Sequence, residues 1–183
     1  MRKGNAVLSV LIMVLFAVHL VWGGLIMAGM TAGGSRVLKM LTHIMLTLIA
    51  VHVVIGLVLT ADTVRVWRKT GVHYLRRNML FWVRRVSGLA MMFFVAVHVM
   101  IFSGRTVEGV YRLNPFGAIE LAAMLLMAAS LLVHLSCNIT PLRIALGLSD
   151  KKNFRMDLLL VVSILLLLAG AAFIVYYIRW QTI

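Results

Sequence analysis

The sequence predicts an all-α membrane protein: five transmembrane helices, four of them a bundle and the fifth beside it. Three observations carry this reading. The 183-residue chain is 63% hydrophobic with a mean hydropathy of +1.05, more apolar sequence than a soluble domain with a polar surface can carry. Five stretches, at about residues 6–28, 37–60, 79–103, 116–138 and 156–178, are each long enough to cross a ~30 Å hydrocarbon core at ~20 residues. The cations fall mostly between those stretches or near their ends, with Arg84 and Arg85 at the mouth of the third. The connections are short, so residues 1–183 read as a single transmembrane domain.

The net charge of +13 does not point to nucleic acid, because the basic residues are spread over loops instead of lining one face. They report orientation. Thirteen Lys and Arg lie at the N-terminus, around the second connection and around the fourth, against five on the other side. By the positive-inside rule the N-terminus is cytoplasmic and the C-terminus outside. A single cysteine, Cys137, excludes an internal disulfide and a protein-held iron–sulfur cluster, which needs about four thiolates. The basic, apolar, small-residue order of the N-terminus resembles a signal peptide. Its apolar run is too long and contains His19, so it reads as a retained helix.

Along the chain, span one ends at the turn Thr31-Ala32-Gly33-Gly34 and span two returns carrying His43 and His52. Ala61–Arg77 reads as a loop mixing basic residues with Trp67, His73 and Tyr74, an interfacial anchor, a docking surface for a cytoplasmic subunit, or both. Pro115 precedes span four and Pro141 is expected to close it. Span five, with neither histidine nor charge between Asp157 and Arg179, reads as a packing helix that shields the others from lipid.

One phrase recurs: A17-V18-H19, A50-V51-H52, A96-V97-H98 and L132-V133-H134. The repeat extends outward, VLFAVHLV matching FFVAVHVM and LIAVHVVI matching SLLVHLSC, which describes two helical hairpins with one histidine per helix. An ionisable side chain inside hydrocarbon is costly and by default functional. One such histidine alone is more often a hydrogen-bonded packing residue. Four in one setting, one per consecutive span, point to haem iron, whose two axial positions a pair of imidazoles from facing helices fills. Iron held this way has no vacancy for substrate, so the arrangement suits electron transfer.

Depth sets the pairing. His19 and His98 lie past the midpoints of outward-running spans, and His52 and His134 past the midpoints of inward-running ones. His19 with His98 therefore forms an outer haem site and His52 with His134 an inner one. Offsets of roughly 6–14 residues at ~1.5 Å each separate the two sites by ~9–21 Å in depth. Gly23 and Gly56 each follow a ligand by one turn, where a missing side chain lets a flat macrocycle approach; Ser87 and Ser130 share ligand faces. All of these are also ordinary close-packing residues in membrane helices.

His43 lies half a turn out of phase with His52 and is either an interfacial polar residue or a hydrogen-bond donor to a quinone near the outer haem. Lys39 and Glu120 are the other quinone candidates, Glu120 being alternatively a solvated carboxylate. The five acidic residues all lie at or near span ends, so no acidic chain crosses the membrane as in a proton pump. No nucleotide loop or Ser/His/Asp set is present, so any soluble substrate must be handled by another polypeptide.

With His19, His52, His98 and His134 on spans one to four, the block R77-N78-M79-L80-F81-W82-V83-R84-R85-V86-S87-G88 and H52-V53-V54-I55-G56, nearly the whole chain resembles a known family. It is similar to the single-chain, di-haem, five-helix cytochrome b subunit of bacterial succinate dehydrogenases and fumarate reductases, the succinate:quinone oxidoreductases. The resemblance implies haem pairing across spans one/three and two/four, in agreement with the depth reading. It implies two b-type haems, with Arg85 and Ser87 near the inner one, and menaquinone or another quinone as membrane substrate. It also implies a flavoprotein and an iron–sulfur subunit docked on the cytoplasmic basic loops, and residence in the bacterial inner membrane. Such a subunit transfers electrons and reacts with quinone but does not itself act on succinate. Some fumarate reductases of this family carry a glutamate two residues before the span-four ligand for proton movement; Leu132 stands there, so that path is not expected. Two other classes compete. One is the haem subunit of a hydrogenase, formate dehydrogenase or nitrate reductase, the last of which places ligands on two helices including the final one, whereas span five here has no histidine. The other is a non-redox assembly or transport protein whose histidines bind a metal or merely pack.

Overall fold

The computed structural model describes residues 2–70, 79–103, 105–107, 110–112, 114–148 and 153–182. Five helices carry the chain: α1 (Arg2–Met27), α2 (Arg36–Thr70), α3 (Met79–Phe102), α4 (Ala118–Ala145) and α5 (Phe154–Gln181). Each is long and apolar enough to cross a membrane, and large aliphatic side chains stand exposed along all five, as lipid contact requires. The all-α, five-span fold expected from composition is the one observed. Between α3 and α4 lies a small feature that composition did not reveal, an antiparallel hairpin of β1 (Arg105–Val107) and β2 (Val110–Arg112) pairing Thr106 with Tyr111.

Two helix ends differ from the sequence expectation, each for a physical reason. The loop expected from Ala61 is helical to Thr70; the rest of that segment, with His73 and Tyr74, lies outside the described residues. An apolar run ends where hydrocarbon ends, but a helix continues until its backbone bonds are interrupted. Here Thr63 and Thr70 bond back to the Leu59 and Val66 carbonyls, Asp62 pairs with Arg65 at 3.3 Å, and no proline intervenes. The 35 residues of α2 span about 52 Å, well beyond a ~30 Å core. Likewise Pro141 does not close α4, which runs through it to Ala145. The stop is Gly147, whose φ of +75° suits a residue without Cβ. Gly147 N–H donates to the Ile144 carbonyl and Leu148 N–H to that of Arg143, the paired bonds of a Schellman end.

Contacts between helix ends show the alternating, up-and-down course. Arg179, late in α5, donates to the Met27 carbonyl at the end of α1 (3.2 Å), a cation on the negative pole of that helix. Gln181 reaches the Phe116 carbonyl just before α4. Asn114 closes α3 by donating to the Met100 and Ser103 carbonyls, both at 2.9 Å. The start of α1, the end of α2, the start of α3, the end of α4 and the start of α5 thus share one side, the one on which the sequence puts most of its basic residues.

The helices do not form a symmetric bundle. α3 packs on α4, α4 on α5, α5 on α1 and α1 on α2, while α1 touches α4 only lightly. Rather than lying beside a finished bundle, α5 fills the seam between α1 and α4. Leu166 meets Leu20 and Leu131 in one apolar cluster, and Phe173 meets Phe116 and Met124 in another. No comparably extensive backbone contact joins α1 to α3 or α2 to α4 among the described residues. Those two loosely apposed pairs are the ones whose histidines the sequence couples.

Candidate functional site

The site is built from the four repeated histidines. His19 on α1 and His98 on α3 bring their ring centroids to 5.9 Å, with planes at 76°. Two imidazoles bonded to one metal at ~2 Å each, with ring centres about 1 Å behind the bonding nitrogens, set their centroids about 6 Å apart. His52 on α2 and His134 on α4 lie close enough to interact electrostatically, and Arg85 on α3 acts on both. The two pairs lie at different levels. Ser9, which touches His52, is ten residues before His19 on α1; Ser87, which touches His134, is eleven before His98 on α3. At ~1.5 Å per residue both helices give about 15–16 Å between levels. The His52/His134 level is the one nearer the basic face.

Each ring is held at Nδ1 by a neighbouring helix. His19 contacts Thr42 Oγ1 (3.3 Å), His52 contacts Ser9 Oγ (3.4 Å), His134 contacts Ser87 Oγ (3.2 Å) and His98 contacts Met124 Sδ (3.3 Å). The partners bear on the tautomers. A hydroxyl has one proton, and each of these hydroxyls has already donated it to its own helix: Thr42 to the Leu38 carbonyl, Ser9 to Asn5, Ser87 to Arg84. While those bonds are kept the oxygen facing the ring accepts, as a thioether sulfur does. With the hydroxyls bonded in this way, hydrogen placed on Nδ1 satisfies each contact and leaves Nε2 as the nitrogen available to a metal. A second hydrogen bond that fixes tautomer and orientation is the usual support of a histidine metal ligand.

The surroundings of the His52/His134 level hold two unmatched donors. Trp82 Nε1 and Arg85 Nε are buried without a hydrogen-bond acceptor. They stand three residues apart on α3, on neighbouring positions of one face. Orphaned buried donors are rare and call for a missing partner. Arg85 also lies over the Phe81 ring at 5.1 Å and against Gly56 of α2, where an added Cβ would be 3.6 Å from its Nη1. Gly88 seats His134, since a Cβ there would meet the ring at 3.2 Å. By contrast Gly23 would meet nothing within 4 Å.

The structure brings together His19 with His98, His52 with His134, and Arg85 and Ser87 with the latter pair. It does not join the quinone candidates of α2, Lys39 and His43, to Glu120. His43 is exposed and bonds the Lys39 carbonyl of its own helix at 2.6 Å. Glu120 sits on α4 and accepts from Gly117 N–H at 2.8 Å, capping that helix. No hydrogen bond joins these residues across α2 and α4 among the described residues.

Ser9, Thr42, Met124, Trp82 and Gly88 belong to the site but carried no sequence signal of their own, apart from Gly88 and Trp82 lying in the block before His98. Groups of three or more His, Cys, Asp or Glu are not found among the described residues; a two-imidazole site has a different signature. No protein-family model, curated protein or solved structure matches the chain.

Proposed function

We propose that the chain is the di-haem b membrane subunit of a succinate:quinone oxidoreductase. In this reading it carries electrons between a flavoprotein and iron–sulfur pair on the basic, cytoplasmic face and quinone in a bacterial inner membrane. The observation that carries the reading is the placement of the four imidazoles. Each contacts a neighbouring helix at Nδ1, His19 and His98 approach to 5.9 Å, and both couples lie across helix pairs that do not pack backbone to backbone.

The chain's residues fit two b-type haems. His19 and His98 would hold one, His52 and His134 the other. Trp82 Nε1 and Arg85 Nε supply donors for the carboxylates a haem carries. A haem iron filled by two imidazoles supplies a one-electron couple without an open coordination position. The protein orients the rings, excludes water with the Leu20/Leu131/Leu166 and Phe116/Met124/Phe173 clusters, and places the Arg85 charge beside the His52/His134 pair. Lys39, His43 and Glu120 receive no joint role, since nothing gathers them.

Purification in mild detergent tests this reading. The expected result is a chain that travels with a flavoprotein and an iron–sulfur protein and whose b-type absorption is reduced by succinate. A coloured chain that travels instead with a hydrogenase or formate dehydrogenase would replace the enzyme assignment.

A further inference from the structure

Pro141 lies inside α4 rather than at its end. A proline has no N–H, so the carbonyl four residues earlier loses its helical partner, at a cost of about 3 kcal/mol in an ordinary helix interior. That carbonyl belongs to Cys137, and Arg84 of α3 donates Nε–H to it at 2.8 Å. The bond is charge-assisted and well formed. An arginine several residues inside an apolar helix is itself costly without an acceptor, and the orphaned carbonyl is an acceptor that neither lipid nor an ordinary helix offers. The two irregularities resolve each other.

The same residue also touches the site. The Arg84 carbonyl accepts from Ser87 Oγ at 3.2 Å, and the same hydroxyl lies 3.2 Å from His134 Nδ1. Cys137 is three residues beyond His134, on the next turn of α4. Arg84 therefore meets α4 at two successive turns, through Ser87 at His134 and by its own side chain at Cys137. Its neighbour Arg85 points elsewhere, toward Phe81 and Gly56.

We propose that Arg84 is a positioning residue that replaces the backbone bond Pro141 cannot make, clamping α4 to α3 so that His134 is presented at a fixed depth and angle. The role is conditional on the proline. If residue 141 regains an N–H, the Cys137 carbonyl is satisfied within α4 and the Arg84 side chain becomes dispensable.

Cys137 is the chain's one cysteine and is half-buried, so its thiol reports opening at the clamp. Maleimide labelling is compared in the detergent-purified chain for the parent, Arg84→Met, Pro141→Ala and the double variant. Losing a charge-assisted bond is expected to speed labelling about tenfold in Arg84→Met. The double variant is expected to return to within about twofold of the parent, the coupling signature of a double-mutant cycle. Parent-rate labelling in Arg84→Met, or a double variant as fast as Arg84→Met, overturns the proposal. If Arg84→Met does not accumulate in membranes, the double variant is expected to; loss of both also overturns it.

In the haem-loaded chain, a readout that rests on the function proposed above, Arg84→Met is expected to perturb the optical band of the His52/His134 centre alone, and the double variant to restore it. Perturbation of both centres alike, or no restoration, counts against the clamp. A colourless chain with the expected thiol pattern leaves the clamp standing and removes only the haem reading.

Discussion

Gly88 offers the sharpest test of how the His134 ring is held. In Gly88→Val the new Cβ would sit 3.2 Å from His134 Cε1 and 3.5 Å from Nδ1, and each methyl reaches ~1.5 Å farther. Comfortable carbon contacts lie at ~3.5–4.0 Å, and a helical valine has one dominant rotamer, so the methyls cannot all turn away. The ring has little room to retreat, being bonded to Ser87 on one side. It must leave that bond, worth ~1 kcal/mol, and the overpacking adds ~1–3 kcal/mol, a total of ~2–4 kcal/mol. Gly88→Ala brings only the Cβ and asks the ring to shift by a few tenths of an ångström. The assay is haem content and difference spectrum of the purified variants, with thermal unfolding in detergent alongside. Gly88→Val is expected to lose the His52/His134 centre and keep the other, with Gly88→Ala close to the parent. Two intact centres and parent stability in Gly88→Val would show that His134 is not seated against α3.

Three further outcomes are expected. His98→Ala should remove the centre farther from the basic face and leave the other, while His134→Ala does the reverse; loss of the opposite centre, read by difference spectroscopy, would overturn the pairing. Thr42→Val removes the hydroxyl in contact with His19 Nδ1, and loss of such a supporting bond makes an imidazole ligand a weaker electron donor. With the bond worth ~0.5–1.5 kcal/mol and ~59 mV per tenfold for one electron, the His19/His98 midpoint should rise by roughly 20–60 mV in a redox titration. Arg85→Gln removes a positive charge that bears on His52 and His134, which stabilises the oxidised iron. The midpoint of that centre should fall by on the order of 50–100 mV, with the other almost unmoved.

The sequence made some parts legible because they repeat or because hydrocarbon imposes them. Length and hydropathy define five spans, and the A/L-V-H phrase marks the histidines. Their positions relative to span midpoints couple His19 with His98 and His52 with His134, the couples the structure brings together. The expected separation of ~9–21 Å contains the ~15–16 Å read along α1 and α3. What stayed hidden depends on contacts between distant segments. Ser9 reaches His52 across 43 residues and Ser87 reaches His134 across 47; neither has a local pattern that announces it. Pro141 looked like a terminus because an ordinary helix cannot satisfy the Cys137 carbonyl, and only Arg84 on α3 shows how this one does. The end of α2 was misplaced because hydropathy reports the membrane boundary rather than the backbone. The place of α5 between α1 and α4 had no signal in a helix that is apolar all round.

The most direct test is the haem-to-protein ratio of the purified chain, measured by pyridine haemochrome, with the low-temperature reduced-minus-oxidised spectrum recorded on the same sample. Two b-type haems per chain with low-spin, bis-imidazole character are expected. A colourless chain would contradict the account, and so would a single haem whose loss requires only one histidine pair to be mutated.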